Sequence, residues 1–220
     1  VTEVKICGIT GTKDALVAAQ CGAAALGFIF YPSSPRYIRP KDAKKIISLL
    51  PDKLVSVGVF VNEKPENAKE IMEDCGLDMI QLHGDETPEY CRQFPASIVI
   101  KAVELKNTDD LNRALDYDVA AMLVDSRHGN LYGGTGKTSN WELSGLLKNK
   151  KPLILSGGLN VENVAEAMRT VEPVALDINS GVEASPGKKD HKKLVRIFDI
   201  IRTFNTKHEK AQLIFKKREI

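Results

Sequence analysis

The chain is 220 residues long, with 43% apolar and 27% charged residues; it can bury a sizeable core, and this balance excludes intrinsic disorder. Its 31 basic and 29 acidic residues give a formal net charge of +2, so no basic excess points to a nucleic-acid partner. No apolar stretch approaches the ~20 residues that span a bilayer, and a soluble protein without membrane association is expected.

Short β-branched apolar runs alternate about eight times with helix-length amphipathic stretches. The first strand is predicted at 4–7, followed by a helix for which Thr12 reads as the N-cap. A second strand at 25–30 leads to a helix over 41–50, with Ala43, Ile46, Ile47 and Leu50 on one face and Pro40 near its first turn. Strands at 54–61 and 79–82 are followed by Pro65 and Pro88, each placed to open a helix. Further strands are read at 98–102, 121–125, 153–156 and 174–177. Asn160 reads as the cap of a helix over 161–171 that lines up Val164, Ala165, Met168 and Val171. The last helix, at 194–204, repeats Leu194, Val195, Ile197, Phe198 and Ile201 at helical spacing.

Strands buried on both faces and separated by helices imply parallel β-α units with right-handed crossovers. Such units close most naturally into a (β/α)₈ TIM barrel of the α/β class, a doubly wound open sheet being the alternative. One barrel domain is expected over 1–205, with 206–220 a charged tail or an extension of the last helix. The pairs Lys188-Lys189 and Lys192-Lys193 read as a solvated helix face. The cysteines Cys7, Cys21, Cys75 and Cys91 lie far apart without metal-ligand spacing, so neither a metal site nor a disulfide framework is expected. A strand-like run from the first residues leaves no room for a signal peptide, and a cytoplasmic location follows as the expectation. A homodimer is left open, because barrel helices look alike in monomers and dimers.

In a barrel the chemistry sits at the C-terminal ends of the strands, so polar residues there carry the most weight. Lys5 and Cys7 share one face of the first strand, and a nearby ammonium would favour the thiolate, the form that accepts a proton. The plainer reading of Cys7 is a buried structural cysteine. Asp125 ends the sixth strand, either as a turn cap or as a general acid. Arg36 follows the second strand in Tyr31-Pro32-Ser33-Ser34-Pro35-Arg36-Tyr37, where the prolines stiffen the loop; it is a surface arginine or an anion clamp. His83 ends the fourth strand with no second ligand nearby, which favours a hydrogen-bonding rim residue over a metal ligand. Gly157 and Gly158 after the seventh strand, with Ser180 and Gly181 after the eighth, stand where this fold cradles phosphate. The cluster from Tyr132 to Thr138 fails the P-loop template, since Leu131 stands where its first glycine should be, and reads as a lid.

The segments KICGIT from Lys5, GFIFYPSSPRYI from Gly27, VGVFVN from Val57 and QLHGDE from Gln81 continue in order with LVDS from Leu123, YGGTGKTSNW from Tyr132, LSGGLNVENV from Leu155 and DINSGVEASPGKKD from Asp177. In these the chain resembles the phosphoribosylanthranilate isomerases of tryptophan biosynthesis, from Val4 to about Phe204. The resemblance implies a cofactor-free Amadori rearrangement of a small phosphorylated substrate, N-(5′-phosphoribosyl)anthranilate. It implies Cys7 as general base and Asp125 as general acid, and Arg36 as the partner of the anthranilate carboxylate. Gly157, Gly158, Ser180 and Gly181 become the phosphate cradle, and His83 and Asp177 line the site. The rivals are a dual-substrate phosphoribosyl isomerase, which in such barrels uses two aspartates, and a phosphate-binding barrel without catalysis; Cys7 on the first strand speaks against the former, and Cys7 and Asp125 together against the latter.

Overall fold

The computed structural model describes residues 1–125, 141–206 and 213–218. Eight parallel strands, β1 (Glu3–Ile6), β2 (Ala25–Ile29), β3 (Val55–Phe60), β4 (Met79–Leu82), β5 (Val99–Val103), β6 (Ala121–Val124), β7 (Leu153–Leu155) and β8 (Ala175–Ile178), pair in chain order and form a closed barrel. Pairing of β8 with β1, in the register Lys5 to Asp177, closes the ring and rules out the open sheet. The helices α1 (Thr12–Cys21), α2 (Pro40–Ile47), α3 (Pro65–Cys75), α4 (Pro88–Cys91), α5 (Thr108–Leu115), α6 (Trp141–Lys148), α7 (Val164–Val171) and α8 (His191–Asn205) follow the strands in turn. None of the described helices is long and apolar enough to cross a membrane.

Local chemistry starts these helices where the sequence marks them. Pro40, Pro65 and Pro88 open α2, α3 and α4, where a missing N–H costs nothing and a fixed φ helps. Thr12 is the first residue of α1 rather than its cap, which is Gly11. Asn160, expected to cap a helix starting at 161, instead caps the turn before α7, whose N-cap is Asn163: its Oδ1 accepts the backbone N–H groups of Glu162 and Asn163.

Strand pleating divides the core into two layers. Ala25, Val55, Val57, Met79, Ile100, Ala102, Ala121, Leu123, Ile154 and Ala175 fill the barrel. Leu26, Phe28, Phe60, Leu82, Val124 and Leu176 join the larger cluster that includes the helices. Residues 213–218 do not extend α8. Ile214 and Phe215 join the interior cluster, and their backbone N–H groups donate to the Glu3 carboxylate at 2.6 and 3.1 Å. Lys217 and Arg218 reach Asp78, just before β4. The physical reason is the apolar pair Ile214-Phe215, which meets the N-terminal end of the barrel where inner side chains would otherwise face water, while Leu213 beside it stays exposed.

A second departure follows β8. Glu183–Ser185 (β9) and Lys188–Lys189 (β10) form an antiparallel hairpin around Pro186-Gly187, with Gly187 at φ +78° as the turn requires. Lys189, expected on a solvated helix face, is buried on β10 at 3% exposure. The cluster from Tyr132 to Thr138, expected as a lid, lies outside the described residues. Because Phe215 is a large buried side chain, Phe215→Ala should lower the free energy of urea unfolding by about 3 kcal/mol while leaving KM alone. An unchanged denaturation midpoint would show that this segment does not help to close the barrel.

Candidate active site

The strand alternation that fills the interior also lifts one polar layer to the C-terminal mouth. A cavity there is lined by Cys7 after β1, Ile29 of β2, Val59 of β3, Gln81 and His83 at β4, Asp125 after β6, Ser156 after β7, and Asp177 and Asn179 at β8. The expected residues Cys7, His83, Asp125 and Asp177 thus share one cavity, and each is at least nine-tenths buried. Arg36 and the four cradle residues are not among its lining; they flank it.

Cys7 stands directly above a buried ion pair. Lys5 is fully buried and its Nζ donates to Asp177 Oδ1 at 2.9 Å, across the β1–β8 seam. Burial would strip Lys5 of its proton, but Asp177 and then Cys7 outweigh it and hold its pKa above the ordinary value. The thiol gains less. Burial pushes Cys7 above the ordinary 9.0, and Lys5, itself committed to Asp177, draws it only partly back. Lys5 thus favours the thiolate in the direction expected from the sequence, but desolvation of the sulfur exceeds what a shared ammonium returns and keeps the thiol pKa above its ordinary value.

On the other wall, His83 Nε2 lies 3.2 Å from Asp125 Oδ2, and His83 Nδ1 lies 2.8 Å from Gln81 Nε2. With the amide of Gln81 donating to Nδ1, the ring hydrogen sits on Nε2 and points at Asp125. Gln81 is fully buried, and its Oε1 has no hydrogen-bond partner among the described residues. The loop carrying His83 is pinned from outside the barrel. Lys101 Nζ donates to Leu82 and Gly84 carbonyl oxygens and to Glu86 Oε2, and Glu86 accepts the N–H groups of Gly84 and Asn62.

Arg36 is already engaged by a carboxylate. Its Nε and Nη2 donate to Glu183, which also accepts from Lys189 Nζ at 3.0 Å. Burial would raise the Glu183 carboxyl, but Arg36 and Lys189 overcome it and hold it below the ordinary carboxylate value. Among the cradle residues, Gly157 and Gly158 take φ +87° and +65°, positive values that glycine adopts without strain. Among the described residues, none accepts a hydrogen bond from the N–H of Gly157, Gly158, Ser180 or Gly181. Gly181 is required for a different reason: a Cβ there would stand 1.9 Å from the Leu159 carbonyl oxygen, so its small size lets the two loops touch.

Sequence reasoning missed Gln81, Glu183 and Lys189. Gln81 sits at an inward position of an otherwise apolar strand, and Pro186-Gly187 is a turn signal; both were readable. No group of three or more His, Cys or carboxylate residues among the described residues could hold a metal ion. A groove on the outer wall between α7 and α8, lined by Arg169, Glu172, Asp199 and Phe204 among others, lies away from the strand ends.

Residues 4–200 match the family described as N-(5′-phosphoribosyl)anthranilate (PRA) isomerase. The protein so named from Syntrophus aciditrophicus is 54% identical over 203 residues, 92% of this chain and 88% of that protein. The Thermotoga maritima protein is 49% identical over 191 residues, 86% and 93% of the two chains. A crystal structure of the Thermotoga maritima isomerase superposes with a TM-score of 0.86 at 46% identity, covering 92% of this chain and 100% of that one. A structure of the isomerase in complex with reduced 1-(o-carboxyphenylamino)-1-deoxyribulose 5-phosphate gives 0.83 at 43% identity, with the same coverage. On this identity, carried across nearly the whole barrel, the chain belongs to the N-(5′-phosphoribosyl)anthranilate isomerase family.

Proposed function

We infer that the chain catalyses the Amadori rearrangement of N-(5′-phosphoribosyl)anthranilate to 1-(2-carboxyphenylamino)-1-deoxyribulose 5-phosphate, with Cys7 as general base and Asp125 as general acid. The observation that carries this reading is a thiol and a carboxyl, 4% and 5% exposed, delivered by two different strands to one cavity. Asp125 in its acid form gives a proton to the ring oxygen as the C1′–O bond breaks, and the nitrogen lone pair forms a cationic Schiff base. Cys7 as thiolate then takes the proton from C2′, and the electrons of that C–H bond form the C1′–C2′ double bond while neutralising the nitrogen. The enol so formed becomes the ketone as O2′ loses a proton and C1′ gains one. None of these steps changes the oxidation state of a protein group, and the substrate nitrogen is the electron sink.

The burial that holds the Cys7 thiol above its ordinary pKa also makes its thiolate the stronger base. His83 and Gln81 orient Asp125, and the unpartnered Gln81 Oε1 is available to a sugar hydroxyl. The free amides of Gly157, Gly158, Ser180 and Gly181 cradle the phosphate, and Arg36 meets the anthranilate carboxylate. The four free cysteines suit a reducing compartment, and we place the protein in the cytoplasm.

Single-turnover loss of substrate fluorescence tests the assignment. Cys7→Ser and Asp125→Asn should each lower kcat by at least about 10²-fold, with near-normal melting and retained affinity for the reduced product analogue. A Cys7→Ser enzyme within about threefold of wild type would overturn the mechanism. A second measurement uses pH. Because kcat/KM reports the free enzyme, its base-dependent limb should keep climbing above the ordinary thiol value of 9.0 rather than level off near neutrality. Asp177→Asn should move that limb to lower pH, since the carboxylate that opposes the thiolate is gone. A limb that levels near pH 7, or one that Asp177→Asn moves upward, would contradict the electrostatics described for Cys7.

A further inference from the structure

Arg36 crosses the barrel mouth on a prepared bed. Its Cδ lies 2.9 Å from where a Cβ on Gly8 would stand, and Gly8 has φ +71°, so the arginine stem occupies space that only glycine leaves open. At the far end the guanidinium meets Glu183 side-on. Nε donates to Oε1 at 2.9 Å and to Oε2 at 3.1 Å, and Nη2 donates to Oε2 at 2.8 Å. Among the described residues nothing accepts from Nη1, so the end-on edge of the fork stays open. A guanidinium can grip one carboxylate side-on and a second end-on, because its N–H groups lie in one plane around its rim.

Glu183 is itself immobilised. It is 7% exposed overall and accepts from Lys189 Nζ at 3.0 Å and from the Gly187 backbone N–H at 3.2 Å. Lys189 is anchored in turn by Asn179 Oδ1 at 3.0 Å, and its backbone N–H donates to Asp14 at 2.8 Å. Two cations share one carboxylate, which leaves a surplus of one positive charge at a place where water is largely excluded. One arriving carboxylate balances it.

We propose that Glu183 is the positioning residue for recognition of the substrate's aryl carboxylate: it fixes Arg36 side-on, and the β9–β10 hairpin holds it there. This rests on the reading of Arg36 as the carboxylate partner. Two effects of opposite sign compete when Glu183 is altered. As a bare negative charge it repels a carboxylate, and its removal would tighten binding. As a positioning group it holds the fork in plane and on target, and its removal weakens binding. With three hydrogen bonds on one guanidinium, positioning outweighs repulsion.

The test measures binding of two probes, the reduced product analogue and the same molecule with phenyl in place of carboxyphenyl, to wild type, Glu183→Gln, Glu183→Asp, Arg36→Met and the Arg36→Met/Glu183→Gln double variant. Arg36→Met should abolish most of the preference for the carboxylate-bearing probe. Glu183→Gln should lose about tenfold of that preference, raise KM to match, and keep kcat within about threefold of wild type. The phenyl probe should bind all five proteins alike, and in the Arg36→Met background Glu183→Gln should cost nothing more. Glu183→Asp keeps the charge but shortens the arm by one methylene, so it should fold normally and lose part of the preference; it decides the matter if Glu183→Gln does not fold. Tighter binding in Glu183→Gln, equal weakening of both probes, an additive loss in the double variant, or full preference in Glu183→Asp would each overturn the proposal. If Arg36→Met itself keeps the preference, the assignment of Arg36 fails instead, and the two failures are told apart.

Discussion

The ammonium of Lys5 lies inside the barrel with no exposure to solvent, and the fold depends on what answers it. An isolated buried cation would cost far more than a domain of this size can absorb, so a carboxylate has to stand beside it. That carboxylate, Asp177, comes from the last barrel strand at the same register position, which means it arrives only when β8 pairs with β1. Ring closure and charge compensation are one event. Leaving either partner without the other would cost about 3–5 kcal/mol, so the pair also penalises any slipped register at the seam. Cys7, two residues beyond Lys5, inherits its place above the ion pair from the same pleat.

Among the described residues three lysines are buried, and each is answered by a carboxylate. Lys5 sits inside, beneath the thiol, against Asp177. Lys101 faces outward and ties the loop after β4 through Glu86, so the position of His83 is set from behind. Lys189 stands at the rim and divides Glu183 with Arg36. Each ammonium is within 3.0 Å of a carboxylate oxygen. Dipoles fixed in this way need little reorganisation when charge develops on a bound molecule.

Much of this was legible in the sequence, and the reasons are physical. β-Branched runs of strand length between amphipathic stretches leave few architectures open, and the prolines at 40, 65 and 88 mark helix starts by sterics alone. Cys7, Asp125, His83 and Asp177 meet because parity along each strand forces residues at its C-terminal end to one side. Glu183 and Lys189 were hidden for the opposite reason. Lys189 stands in a lysine-rich stretch that reads as surface, and its burial depends on Glu183, whose other partner, Arg36, is 147 residues away in sequence. Gly181 was marked for the cradle, yet the structure gives it a packing task against Leu159 that no local pattern reveals. Ile214 and Phe215 were masked by the lysines and arginine around them, because composition averaged over a tail hides an apolar triplet.

The segment beneath the barrel has a topological meaning. Glu3 receives the N–H groups of Ile214 and Phe215, while Thr2 and Asn205 exchange hydrogen bonds in both directions. The first strand and the last helix are therefore laced together at one pole, as tightly as neighbours inside the chain. Seen this way the fold is a ring of equivalent units whose linear order is incidental. A rearranged chain that links Thr2 to Asn205 directly and opens between two units on this pole would keep every barrel contact at the opposite mouth.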